Sequence, residues 1–325
     1  MKTMTAIAAI AGALAFATAA PALAQAHGDH GQHPAPARTE APEAGHGHAH
    51  ADFESGRFHV RIDGPEHPVG DIILIPGLSS SPHAFDLLTE ELKGRYRVHR
   101  IHIQGFAGAP AEDNATGNVS APVAEDLARY IAEQGLNKPA VIGHSMGGTI
   151  GMMLAARHPD SLGRLMVVDM LPFIGAMFAA PGTNPTAEAV IPVADQIYAG
   201  MISSPEAQYR QQAAAAVTGM IRTEALRAGP LEDTARSDRA VSSAAYRELL
   251  VTDLRSELSR ITAPTTVLYV AFDFPGMTPE MTDGIYGGSF ANLPGATLTR
   301  IDDSAHFIML DQPARFTAEV NAFLE

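Results

Sequence analysis

The chain has 325 residues, 46% of them hydrophobic and 18% charged, and a formal net charge of −14. This globular composition fits one large domain with an insertion, or two small domains. No block of Lys or Arg is present, which argues against a nucleic-acid partner, since phosphate contacts need clustered cations, and against adhesion to an anionic membrane. There is no cysteine, so disulfides, thiolate metal sites and a cysteine nucleophile are excluded together.

The N-terminus reads as an export signal. Lys2 gives a short basic start, residues 5–20 are apolar and rich in Ala, and Ala22-Leu23-Ala24 and Ala24-Gln25-Ala26 both fit a small-residue cleavage pattern. The apolar run falls short of the roughly 18–20 strongly apolar residues that a membrane span needs. A signal peptide is therefore expected over 1–26, giving a secreted or periplasmic protein without stable membrane insertion. Residues 27–52 hold His27, His30, His33, His46, His48 and His50 among Ala, Pro and Gly. They carry too little apolar surface to offset ordering entropy, so a disordered tail is expected. The imidazoles could capture a metal weakly, but nothing fixes them in a defined geometry.

A domain is expected over 53–325. Residues 58–62 and 71–75 read as strands, 83–93 as a helix and 96–103 as a third strand. An amphipathic helix follows at 122–134, with Val123, Leu127, Tyr130 and Ile131 on one face. Strand 139–143, helix 146–157 and strand 164–169 come next, then strands 265–271 and 297–301 and a closing helix at 312–324. Strands separated by helices imply an α/β fold with a mainly parallel central sheet. Residues 172–258 break the alternation with helical runs at 186–202, 205–222 and 238–258, so they read as a helical insertion.

Gly143-His144-Ser145-Met146-Gly147 contains G-x-S-x-G between a predicted strand and a predicted helix. That spacing suits a strained strand-to-helix turn that lifts the serine hydroxyl above the sheet. The flanking positions approach too closely for side chains, so both are Gly. The helix N-terminus beneath favours a developing negative charge.

With Gly148 added, Gly143-His144-Ser145-Met146-Gly147-Gly148 resembles the nucleophile elbow of the α/β-hydrolases, and the resemblance runs over roughly 57–325. It implies a serine nucleophile, Ser145, and a base from the C-terminal histidine segment, His306 in Asp303-Ser304-Ala305-His306-Phe307. The acid should follow a strand between them. Asp273, after strand 265–271, is the expected residue, and Asp169, at the end of strand 164–169, is the alternative. The oxyanion donors implied are the backbone N–H groups of Met146 and of Leu78, in Ile75-Pro76-Gly77-Leu78. His144 is expected to pack at the elbow, and the loop Gln104-Gly105-Phe106-Ala107-Gly108 to be structural.

Dehalogenases and epoxide hydrolases of this type carry a carboxylate at the elbow, so Ser145 points to acyl transfer instead. The insertion at about 172–258 resembles a lid, with Met170, Leu171, Phe173, Ile174, Met177 and Phe178 available to line an acyl pocket. No dinucleotide or metal motif accompanies these residues, and no cofactor is expected. The expected activity is that of a carboxylesterase on a small apolar acyl ester as its small-molecule partner. A lactone or C–C bond hydrolase with the same residues is the alternative. A periplasmic metal-binding protein using the His-rich tail is a reading of another class.

Overall fold

The computed structural model describes residues 53–178 and 183–325. The expected signal peptide and His-rich tail lie outside the described residues. The described strands are β1 (Phe58–Asp63), β2 (Asp71–Ile75), β3 (Arg97–Ile103), β4 (Ala140–His144), β5 (Arg164–Val168), β6 (Thr265–Tyr269) and β7 (Thr297–Arg300). They form one sheet in the order β1-β3-β2-β4-β5-β6-β7. Only the β1–β3 pairing is antiparallel.

The continuous apolar runs of the inner strands follow from burial on both faces. Ile73, Ile75, Val141, Leu165, Val167 and Val267 belong to one core cluster. Their alternates Ile72, Leu74, Ile142, Met166, Val168 and Leu268 belong to another on the opposite face. The first face is covered by α2 (Ser120–Glu133), α3 (Met146–Arg157) and α8 (Pro279–Ser289). The second is covered by α1 (Asp86–Leu92) and α9 (Pro313–Leu324). In α2 the predicted stripe Val123, Leu127, Tyr130 and Ile131 is buried.

Helix α8 was not expected from the sequence. Gly284, Gly287 and Gly288 lower its intrinsic helix propensity. It is started by Thr278, whose side chain accepts from the Met281 N–H, and by Pro279 in its first turn. Tertiary packing then holds it, through buried Thr282 and Tyr286.

Between β5 and β6 lie α4 (Ala187–Ser203), α5 (Glu206–Gly219), α6 (Ala228–Arg236) and α7 (Arg239–Val251). Three carboxylates fasten this insertion to the core by accepting backbone N–H groups. Glu248, 3% exposed, takes those of Val119, Ser120 and Ala121 at 2.7, 2.7 and 2.9 Å. Helix α2 has no side-chain cap of its own, so a residue of α7 satisfies its orphan donors. Asp233 accepts from both the N–H and the hydroxyl of Ser81. In the reverse direction, Asp311 of the core accepts from Arg222, Thr223 and Ala305. Burial raises the pKa of Asp311, but these three N–H groups outweigh it and hold the carboxyl below its usual range.

Candidate active site

From β2 the chain runs outward to β3 and then crosses to β4 on the other side. Such a reversal opens a crevice at the carboxyl ends of the strands, where open α/β sheets place their ligands. Ser145 follows β4 at that edge, with φ 54° and ψ −122°. This conformation is rare for a residue with a side chain and stores strain at the turn. The Ser145 N–H is held by the Val168 carbonyl at 2.9 Å. A Cβ on Gly143 would collide with the carbonyl of Gly147, and a Cβ on Gly147 with that of Ile75. Both clashes are with backbone that cannot rotate away, so the elbow requires these two glycines.

The structure places His306 in the loop after β7, and it lines the same cavity as Ser145, a space of about 80 Å³. Its Nδ1 donates to Asp169 Oδ2 at 2.6 Å, which leaves Nε2 available for the proton of a nucleophile. Asp169 directly follows β5, with φ 51° and 8% exposure. Its own N–H donates to the Leu268 carbonyl at 2.7 Å. Its Oδ1 accepts from the Val270 N–H at 3.2 Å and from the Tyr286 hydroxyl at 3.0 Å. Burial first, then the Asp169 charge, pushes the Tyr286 phenol well above its usual pKa, so it remains a donor.

The contact expected of Asp273 is therefore made by Asp169. Strand β6 stops at Tyr269, two residues before the predicted end, and Asp273 lies four residues further on, exposed. It reaches only the lining of a neighbouring cavity and makes no hydrogen bond to His306. Strand β5 is the sheet neighbour of β4, so a carboxylate at its end sits closer to the strand that leads into Ser145. The sequence signal was a lone Asp closing the fully apolar run Leu165-Met166-Val167-Val168. Tyr286 gave no such signal, because the helix that carries it was not predicted.

His144 is fully buried, and its Nε2 donates to the His306 carbonyl at 3.0 Å. A carbonyl only accepts, so the ring carries its proton on Nε2 and a bare lone pair on Nδ1. Burial first, then the proximity of His306, lowers its pKa well below 6.5. Its ring centroid lies 4.6 Å from that of His306 and 4.7 Å from that of Phe307.

Met146 opens α3, where the first N–H groups have no partner within the helix. Gly77 and Leu78 line the cavity beside Ser145, and a Cβ on Gly77 would lie 3.1 Å from the Ser145 Cβ. Of the two expected donors, Leu78 lines the cavity of the serine, and Met146 directly follows Ser145 at the start of the helix. A second cavity, of about 350 Å³, lies on the Asp169 side and is lined by Met170, Leu171, Ile174 and Met177. Phe173 and Phe178 pack instead in a cluster with Val190, Tyr246 and Leu250. The loop at 104–108 holds the insertion: the Gly105 carbonyl accepts from Asp238, and the Ala107 N–H donates to Ser237. Among the described residues no three His, Asp or Glu side chains converge on a metal position, and no helix is long and apolar enough to cross a membrane.

A doubly wrapped parallel sheet with a serine on a strained turn at its switch point defines a class of hydrolytic enzymes. The chain belongs to the alpha/beta hydrolase family, whose pattern matches residues 72–320, and it is a hydrolase. It is 26% identical over 253 residues to the pimeloyl-[acyl-carrier protein] methyl ester esterase of Aromatoleum aromaticum, covering 75% of this chain and 93% of that protein. Among solved structures, it resembles a hydrolase from Pseudomonas aeruginosa with a TM-score of 0.67 and 21% identity, over 82% of this chain and 94% of the other. An enol-lactonase from Burkholderia xenovorans matches with a TM-score of 0.65 and 20% identity, over 82% and 96%. These two likenesses show the fold.

Proposed function

We propose that the protein is an exported carboxylesterase that uses Ser145, His306 and Asp169. The observation that carries this reading is the 2.6 Å bond from His306 Nδ1 to Asp169, with His306 and Ser145 on one cavity. The ester bond as target is supported by the esterase relative that aligns over three quarters of the chain. Export rests on the signal-like composition of residues 1–26.

In the first half-reaction the Ser145 hydroxyl adds to the ester carbonyl and its proton passes to His306 Nε2. Asp169 keeps the imidazole in the tautomer with Nδ1 protonated and stabilises the imidazolium that forms. The N–H groups of Met146 and Leu78 receive the oxyanion. Collapse breaks the bond to the alcohol, which leaves with the proton from Nε2. Water then attacks the acyl-enzyme, gives its proton to His306, and the acid departs as Ser145 regains its hydrogen.

A fluorophosphonate probe should label Ser145. Ser145→Ala should abolish labelling and reduce turnover by about 10⁴-fold or more on a panel of esters, lactones and amides. Hydrolysis that persists in this variant would remove the assignment.

A further inference from the structure

The small cavity at Ser145 has an apolar lining of Met201, Ala213, Val217 and Met220, and a polar part made by Ser79, Tyr209, Ser242 and Tyr246. Three of the polar residues satisfy one another. Ser79 Oγ and Ser242 Oγ lie 2.8 Å apart, and Tyr209 hydrogen-bonds Ser242. Tyr246 is different. It is 1% exposed, and its hydroxyl has no hydrogen-bond partner.

A buried hydroxyl without a partner is unfavourable, and Phe would fill the same space without that cost. Burial pushes the phenol pKa far above its usual value, so the group stays protonated and offers a donor. The cavity that it lines is the one into which Ser145, His306, Gly77 and Leu78 also face. We propose that Tyr246 determines specificity by donating a hydrogen bond to an oxygen acceptor of the substrate, a keto, ether or ring oxygen, while the scissile carbonyl rests at Ser145.

The volume limits that part of the substrate. About 80 Å³ matches the liquid volume of about three waters at ~30 Å³ each, so the oxygen-bearing portion is short. His306 and Met220 line this cavity and the larger one of about 350 Å³. A substrate that occupied both would span the histidine. The substrate class is an ester with a short, oxygen-bearing group on one side of the bond and a longer, mainly apolar group on the other.

This inference rests on Ser145 as nucleophile, and its test separates the two. Two matched pairs are assayed with the wild type and Tyr246→Phe: 3-oxobutanoyl against 3-methylbutanoyl esters of one long-chain alcohol, and 2-methoxyethyl against butyl esters of one long-chain acid. The ratio of kcat/KM for the oxygenated over the hydrocarbon member should fall about tenfold in Tyr246→Phe on at least one pair. A ratio unchanged within about twofold on both pairs overturns the proposal. The variant should also melt at or above the wild-type temperature, because no bond within the fold is lost; a melt several degrees lower would show the hydroxyl bonded internally and overturn it too. Fluorophosphonate labelling runs in parallel. Failure to label wild-type Ser145 would count against the hydrolase reading, whereas normal labelling with unchanged ratios would count against Tyr246 alone.

Discussion

His306 Nδ1 donates to Asp169 Oδ2 across 2.6 Å, joining the loop after β7 to the end of β5. The same carboxylate takes the Val270 N–H and the Tyr286 hydroxyl on its other oxygen. The carboxylate is therefore held by β6 and α8 on one oxygen and meets the histidine with the other.

Asp169→Asn should lower kcat by about 10⁴-fold with the fold retained, because the amide favours the wrong imidazole tautomer and cannot stabilise the imidazolium. Asp273→Asn should remain within a few-fold of wild type, since its exposed side chain makes no bond to His306. Ester hydrolysis with thermal melts on both variants checks this. An inactive, folded Asp273→Asn beside an active Asp169→Asn would return the role to Asp273.

Tyr286→Phe removes one donor from Asp169 while keeping the ring stacked on Tyr269, whose centroid lies 4.1 Å away. Hydrogen bonds to a charged group are worth about 1.5–3 kcal/mol, and part of that holds the carboxylate in line with His306. A roughly tenfold loss in kcat is expected, with KM little changed. A rise in KM alone would show that Tyr286 acts on substrate binding and not through Asp169.

Much of this architecture could be read from the residues, for physical reasons that also explain the misses. Buried strands such as Asp71–Ile75 announce themselves by unbroken apolar runs, and the elbow by glycines that only backbone crowding requires. The choice between Asp169 and Asp273 depended on where β6 ends, and the residues Val270, Ala271 and Phe272 continue its apolar pattern beyond the last paired position. Hydropathy records burial, not pairing, so the strand was read two residues too long and Asp273 was placed too near the edge. The carboxylates that fasten the insertion were equally hidden, because each meets backbone N–H groups far away in the chain. Glu248 bonds residues more than 120 positions distant.

His144 makes stability depend on pH. Its folded pKa lies well below 6.5, so the ring stays neutral in the folded protein while the unfolded chain takes up a proton as pH falls below that value. The unfolded state then binds more protons, and stability rises with pH. The contribution of His144 is complete above pH 6.5 and drains as pH falls toward the lowered folded value, by at most about 1.4 kcal/mol per pH unit. Urea unfolding from mildly alkaline to mildly acid pH should show a steeper loss for wild type than for His144→Gln. Parallel curves would mean that other groups set the slope.

Glu248→Gln tests whether α7 is held in place by its cap on α2. The carboxylate accepts three N–H groups with two oxygens, all within 2.9 Å. The amide offers one oxygen and turns an NH₂ group toward donors it cannot satisfy. The loss should be about 2 kcal/mol, in the range of charge-assisted bonds, and a lower melting temperature should report it. Function should follow, because α7 also carries Ser242 and Tyr246 in the lining of the Ser145 cavity. Releasing its far turn should raise KM more than it lowers kcat, since the Asp169–His306 bond lies on other elements. An equal fall in kcat, with KM unchanged and the protein folded, would show that Glu248 reaches the catalytic residues themselves and not the wall that holds the substrate.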